Sequence, residues 1–496
     1  MKKSLYGIML AGLLGVTSCS DFTDLQPKGV NTLSTTDQLE LLFNNEITLN
    51  ISDLQNIGGD IVSGANNIPA AMSMENKERT TLLFGYYDDQ KDLDRIKTLT
   101  TSDSYYSSCY NWIGRICNPV LNQVAMANGD ENKKAALAAE AKALRAFAHF
   151  MIAVKFAKAY TPATAAQEQG IIYMTENKDI QEPQKPSTLK ESYDLMLADV
   201  NAAINSGALP KQQKVKTRFT LGAAYALKAH ILMAMQQYSE AATAAKASLA
   251  ENSSLLDYYS NTHKEDGWGG FIHFPGNWSY DVCAPNCLED GETLFAIPDY
   301  LISMWGELSI EQYVETGYGR LTLTPRTKVQ YLAFEVMVPG YDQSQNMIGI
   351  RGWDSPWNMP GVNMEYRNIA GLTVPQMYIL LAECSVRENK VDDAMGYLDQ
   401  LRQNRLPADT YQPLKGSVSS VNGAIEKVKQ ISFSENLWTC WNFIQRKRWN
   451  VEQAWQTTLS HDYTSIGFGV RSLRPESGLW VFPYPTSVVG ANPYIK

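Results

Sequence analysis

Apolar positions along this chain recur at helical spacing over long stretches, and those stretches come in pairs. The run "NKKAALAAEAKALRAFAHFMIAVKFAKAY" (132–160) is alanine-rich and apolar on nearly every face. Arg145, His149, Lys155 and Lys158 interrupt it, so a membrane span is excluded and a helix buried among other helices is predicted. After a Pro-containing loop, "TLKESYDLMLADVNAAINSG" (188–207) predicts a second helix. Thr188 and Glu191 supply a T-x-x-E capping box at its start, and Gly207 suits its C-cap. In "RFTLGAAYALKAHILMAMQQYSEAATAAKASLA" (218–250), a helix with Gly222, Ala226 and Ala229 meets a turn at Gln237–Ser239. A helix with Ala241, Ala245 and Leu249 follows. Small residues on facing helices let two backbones approach closely, the device of tetratricopeptide (TPR) repeats. The same cadence recurs in "PQMYILLAECSVRENKVDDAMGYLDQLRQNR" (375–405), turning at Asn389. More than a hundred residues separate the two hairpins, unlike a regular solenoid.

Between them the pattern breaks. Residues 255–370 are rich in Gly, Pro, Asn and Trp with little periodicity, and only short runs such as Thr293–Ile297 read as strands. A long irregular insertion of high aromatic content predicts an ordered, loop-built lobe rather than a disordered one. The expected fold class is therefore mainly α, a scaffold of TPR-like helical hairpins carrying an irregular lobe with short strands.

The N-terminus has its own pattern. Lys2 and Lys3 precede an apolar stretch from Leu5 to Val16 that is too short to span a bilayer, and small residues follow. Val16-Thr17-Ser18-Cys19 reads as a bacterial lipobox, so residues 1–18 are expected to be a lipoprotein signal peptide. Cys19 is then the lipidation site, and 19–30 a polar tether. Several acyl chains give stable attachment, since each buried methylene contributes about 0.8 kcal/mol.

Loss of the leader takes the formal charge from −9 to −11 over 478 residues, which disfavours nucleic acid as a partner. The mature chain is 44% hydrophobic by the full composition, enough for a large core. Outside the cytoplasm, Cys283 and Cys287 in "CAPNC" could close a small disulfide loop. Cys109 and Cys117 on one continuous helix would be separated by about 12 Å of rise, too far to pair. Cys384 and Cys440 fall in helical patterns and are expected as buried free thiols.

The familiar catalytic signatures are missing: no H-E-x-x-H, G-x-S-x-G, P-loop or G-x-G-x-x-G occurs. The reading is of a protein without enzymatic activity, metal or cofactor, although 52 carboxylates leave room for a glycosidase pair. His149 and His230 sit in apolar helices and are expected in the core; "DDQKDLD" (88–94) reads as a solvated loop. Trp268, Trp278, Tyr280, Trp305, Trp353 and Trp357 stand in irregular segments beside Gly, Asn and Asp. An indole beside amides and carboxylates suits a sugar ring, whose apolar face stacks while its hydroxyls are hydrogen-bonded. For any one of these residues, filling the interior of a loop-built lobe is the competing role.

These segments, in order, resemble the SusD/RagB family of outer-membrane nutrient-binding lipoproteins nearly end to end. "CSDFTDLQPKG" and "TTDQLELLFNN" are similar to the family's tether and first helix, and "YYSSCYNWIGRICNPVL" to its aromatic helix ending in an Asn, here Asn118. "EAKALRAFAHFMIAVKFAKAYTP" resembles the long E-A-x-x-L-R-A helix; "ETLFAI" and the terminal "LWVFPYPTSVVGANPYIK" follow in family order. The C-terminal E-G-x-R-x-x-D-L core is replaced by "ISFSENLWTCWNFIQRKRW", which keeps Arg446, Arg448 and Trp449, and the chain stops at Lys496, short of the usual tail. The resemblance implies an N-terminal helical region over 31–254, a ligand lobe over 255–370, and a C-terminal region over 371–496 with a further helix pair. It implies a surface-exposed lipoprotein, anchored in the outer membrane and facing the cell exterior, that binds oligosaccharides without cleaving them. Its expected partner is a SusC-like TonB-dependent transporter, to which it delivers them. By position, the resemblance adds Tyr105, Tyr106 and Asp60 to the candidate ligand contacts. A peptide cargo, a secreted glycoside hydrolase and a TPR adaptor are the alternative readings.

Overall fold

The computed structural model describes residues 33–45, 47–58, 79–179, 181–256, 288, 290–301, 338–341, 347–350, 365–405, 411–436, 439–463 and 469–495. Cys19, Asp60, Trp268, Trp278, Tyr280, Cys283, Cys287, Trp305, Trp353 and Trp357 lie outside the described residues.

Short helices come first: α1 (Thr36–Leu41), α2 (Ser52–Gly58), α3 (Arg79–Phe84) and α4 (Gln90–Leu99). The "DDQKDLD" stretch is not a loop. Asp89 caps α4 by accepting from Asp92 N at 2.9 Å, and the charged residues then face solvent while Ile96 is buried. Helix α5 (Ser104–Trp112) runs through a π turn (Ile113–Cys117) into α6 (Asn118–Gln123). Cys109 and Cys117 ride this continuous rod as buried free thiols, as the helical rise requires.

The alanine-rich stretch becomes α7 (Glu131–Phe156), capped by Asp130 and buried on almost every face beyond Leu137. Helices α5 and α8 (Leu189–Asn205) pack along it. The capping box on α8 is formed: Glu191 N donates to Thr188 Oγ1 and Thr188 N to Glu191 Oε2, while Gly207 takes φ +66° just beyond the end. Helices α9 (Leu221–Ala234) and α10 (Tyr238–Glu251) form the first hairpin, turned by Gln236 at φ +62°. Ala226, Ala229, Ala241 and Ala245 are fully buried, and Ser248 Oγ donates to Gly222 O across the contact at 2.8 Å.

The strands among the described residues are short and pair antiparallel. Between α10 and the next helix the described residues form β1 (Thr293–Phe295), β2 (Pro298–Leu301), β3 (Val338–Tyr341), β4 (Met347–Ile350), β5 (Glu365–Asn368) and β6 (Leu372–Thr373). They pair as β1 with β6, β2 with β5 and β3 with β4, in register Pro298↔Asn368 through Leu301↔Glu365 for the second pair.

The second hairpin, α11 (Val374–Arg387) and α12 (Val391–Arg402), turns at Asn389 with φ +58°. Its first helix packs on α10, so hairpins far apart in sequence are neighbours in space. Between α9 and α11, His230 faces Gln376 at 3.3 Å and Cys384 Sγ lies 3.4 Å from Met233 Sδ. Helices α13 (Val421–Glu435) and α14 (Trp441–Trp449), the ribbon β7 (Leu459–Tyr463) and β8 (Gly469–Leu473), and α15 (Thr486–Ala491) complete the chain. One core runs from α1 through α11 and takes in α14 and the C-terminal segment; a smaller one lies between α11, α12 and α13. The molecule is mainly helical, as the periodicity predicts.

Candidate functional site

The tryptophan-bearing stretches are bracketed by described residues, and those residues converge on one root. Asn252 Nδ2 donates to Gly291 O at 3.0 Å and Leu256 N to Glu292 Oε1 at 2.6 Å, joining the two sides of the stretch that carries Trp268, Trp278 and Tyr280. The ladder between β2 and β5 joins the two sides of the stretch carrying Trp305, Trp353 and Trp357. Asn368 ties both ladders together, accepting from Ile297 N and Gly371 N and donating to Phe295 O, all near 3 Å. Gly371 is forced by proximity: a Cβ there would sit 2.0 Å from Phe295 O.

A buried guanidinium holds this root to the helices. Arg405, just past α12, is fully buried. It donates to Leu256 O at 2.6 Å, to Glu292 Oε1 at 2.8 Å, and to Glu435 at 3.0 and 3.1 Å. Burial pushes the Glu292 carboxyl up to about 7; Arg405 opposes that rise and the charge of Glu435 adds to it.

The stretch containing Asp60 is closed in a similar way. Arg79 forks onto Asp53 with two bonds of 2.7 Å, and Lys155, from α7, reaches Asp53 at 2.9 Å and Asp103 at 2.6 Å. Burial raises the Asp53 carboxyl, but Arg79 and Lys155 outweigh it and hold it down to about 2.

Of the two tyrosines carried by the resemblance, Tyr105 is fully buried and its hydroxyl donates to Met151 O at 2.9 Å. It is a core residue, with no ring face open to a ligand, because α5 packs that side against α7. Tyr106 is half-buried and sits edge-on to Phe156 and Tyr484 at 5.5 and 6.0 Å between ring centroids. Phe156 and Tyr484 stack at 5.1 Å and floor an open cleft of about 430 Å³ between α4, the end of α7 and the C-terminal segment. Its rim carries Asp94, Lys97 and the Lys158–Glu168 pair.

Other motif residues are structural clasps. In E-A-x-x-L-R-A, Glu140 accepts from Arg218 at 2.5 and 2.6 Å and from Phe219 N at 3.1 Å. Arg145 forks onto Asp199 at 2.7 and 2.8 Å, bonds Glu176, and reaches Asn118 Oδ1 at 3.1 Å. Thus Asn118, Glu140 and Arg145 join α6, α7, α8 and the approach to α9 rather than facing solvent. His149 and His230 are core residues, as expected. Among the described residues, no group of three or more His, Cys, Asp or Glu side chains could hold a metal ion, and no helix is long and apolar enough to cross a membrane.

Sequence reasoning missed Arg405, Glu292, Glu435, Asp53 and Arg79. Arg405 and Glu292 are 113 residues apart, and no local spacing announces such a pairing.

Residues 43–233 match the family model SusD-like_3, described as starch-binding associating with outer membrane. Among solved structures, the fold is similar to that of a SusD superfamily protein from Bacteroides fragilis, at 16% identity and a TM-score of 0.61, covering 94% of this chain and 99% of that one. A SusD-like protein from Bacteroides fragilis NCTC 9343 is similar at 14% identity and a TM-score of 0.58, over 93% and 96% of the two chains. A SusD-like carbohydrate binding protein from Bacteroides vulgatus ATCC 8482 is similar at 14% identity and a TM-score of 0.55, over 93% and 97%. No curated protein matches the chain. The family model thus matches residues 43–233, and over nearly all of its length the chain has a fold similar to that of these solved proteins.

Proposed function

We propose that this protein is an outer-membrane lipoprotein, anchored through Cys19 and facing the cell exterior, that captures oligosaccharides without cleaving them. It hands them to a SusC-like TonB-dependent transporter. The observation that carries the reading is the match of residues 43–233 to a family described as starch-binding and outer-membrane-associated. A solved neighbour named as carbohydrate binding supports it. The ligand contacts are drawn from Trp268, Trp278, Tyr280, Trp305, Trp353 and Trp357, with Tyr106 and Asp60 as further candidates, and Cys283 and Cys287 are the candidate pair for a small disulfide loop. Aromatic stacking under a sugar ring supplies apolar contact, and neighbouring amides and carboxylates take up the hydroxyls.

Titration calorimetry of the purified chain with maltoheptaose, and with a panel of other plant and host oligosaccharides, tests this. At least one sugar is expected to bind and none to be turned over. Trp278→Ala or Trp353→Ala is expected to weaken binding by about tenfold, the loss of roughly 1.4 kcal/mol of stacking. Unchanged affinity in all the aromatic variants would remove the platform. Turnover of a glycan would identify a hydrolase, and co-purified peptides with no glycan bound would identify a peptide carrier.

A further inference from the structure

The Arg405 cluster is built in a way that packing alone does not require. Among the described residues, one buried guanidinium faces two buried carboxylates, Glu292 on the approach to β1 and Glu435 at the end of α13. The same guanidinium bonds Leu256 O, while Leu256 N bonds Glu292. Among the described residues, Glu251 at the end of α10 pairs with Lys211, and Asp290 and Lys216 beside the junction are engaged elsewhere. Asp290 accepts from Thr293 N and Oγ1, and Lys216, on the approach to α9, donates to Thr293 O.

We propose that Arg405, Glu292 and Glu435 form a proton-dependent clasp on the root of the ligand lobe. With Glu292 protonated, the guanidinium serves Glu435 and Leu256 O, and the junction between α10 and β1 is tight. When Glu292 ionises, the one guanidinium that the described residues place between them has to balance two desolvated carboxylates, and the junction loosens. The direction follows from linkage. A carboxyl whose value is raised by folding stabilises the folded state fully below its ordinary value near 4.5, and that contribution is lost as pH rises through about 7. Arg405 is thus a positioning residue, acting on ligand affinity through the junction rather than by touching ligand. This consequence for affinity rests on the sugar-binding reading above; the clasp itself does not.

Amide hydrogen exchange at Leu256, whose N–H is bonded to Glu292, reads the clasp without any ligand. Between about pH 5.5 and pH 8, with the intrinsic rate divided out, wild-type protection is expected to fall about tenfold or more. In Glu292→Gln, and separately in Glu435→Gln, protection is expected to be independent of pH over that range. A merely structural role would lower protection in the variants without flattening the pH profile. Maltoheptaose affinity, measured in parallel, is expected to drop several-fold from the lower to the higher pH in the wild type and to stay level in both variants. A pH-independent wild type, or an equal fall in the variants, overturns the clasp. Protection that shifts while maltoheptaose affinity stays level overturns the link to binding. The expected exchange profile with no sugar bound supports the clasp and counts against the sugar-binding reading alone.

Discussion

Glu383 is a meeting point for charge in the core. From the middle of α11 it accepts a fork from Arg448, a bond from Trp449 Nε1 at 3.0 Å and an ion pair from Arg387 at 2.7 Å. Burial alone would raise its carboxyl, but Arg448 and Arg387 outweigh burial and hold it down to about 2. The retained Arg448 and Trp449 are therefore explained by packing: they dock α14 on the second hairpin. Removing the charge by Glu383→Gln takes this buried carboxylate from Arg448, while Arg387 keeps its fork on Glu452, and urea unfolding at neutral pH is expected to show a loss of about 3–5 kcal/mol. Replacing both partners, Glu383→Leu with Arg448→Met, is expected to cost clearly less than Glu383→Gln. If the double replacement costs as much, the pair contributes through shape rather than charge.

At the scale of elements, the contacts that matter are made where two backbones nearly touch. Lys447 of α14 donates to Val154 O and Ala157 O at 2.7 and 2.6 Å, closing the C-terminus of α7 where carbonyls lack helical partners. Burial pushes its ammonium down to about 7. Gly371 makes the sharper case, because a methyl group there would occupy the position of Phe295 O. Gly371→Ala is expected to separate β1 from β6 and to lower stability by about 2 kcal/mol or more, seen as faster exchange at the β1 amides. An unchanged exchange rate would mean that the ladder is not held by this approach. Helix existence was legible from periodicity, and so were the caps, because Thr188, Glu191, Gly207 and Asn389 act on backbone within a few residues of themselves. The start of α4 was not. An acidic stretch reads as a loop until Asp89 is seen to cap a helix whose apolar residues are few and spaced a turn apart.

Over the whole molecule, buried titratable groups set a pH profile. His149 takes Met174 N on Nε2 and faces Arg145 O through Nδ1; burial pushes it, like His230, down to about 3. Both imidazoles stay neutral in the folded chain while the unfolded chain protonates near 6.5, so their contribution is lost as pH falls from 6.5 toward 3. A tenfold difference in proton affinity between folded and unfolded chain corresponds to ~1.4 kcal/mol. From pH 7.5 to 5 the two imidazoles together are therefore expected to cost about 4 kcal/mol, and Glu292 to offset about 2 of it. The urea midpoint should fall over that interval, more steeply in Glu292→Gln; a midpoint that rises would contradict the assignment. Below about pH 4.5, Glu383 and Asp53 add a further loss as pH approaches 2. What the sequence determined by itself is what acts locally or by composition: helices from period, caps and turns from residue type, buried thiols and imidazoles from their apolar surroundings. The tertiary structure alone decided which distant elements meet. It brought α10 against α11 across the lobe's whole length, seated Tyr105 in the core, and set Arg405 between Glu292 and Glu435. The reason is physical: an ion pair or close approach between residues a hundred positions apart leaves no period in the chain, and its energy exists only after other burial has removed the water between its partners.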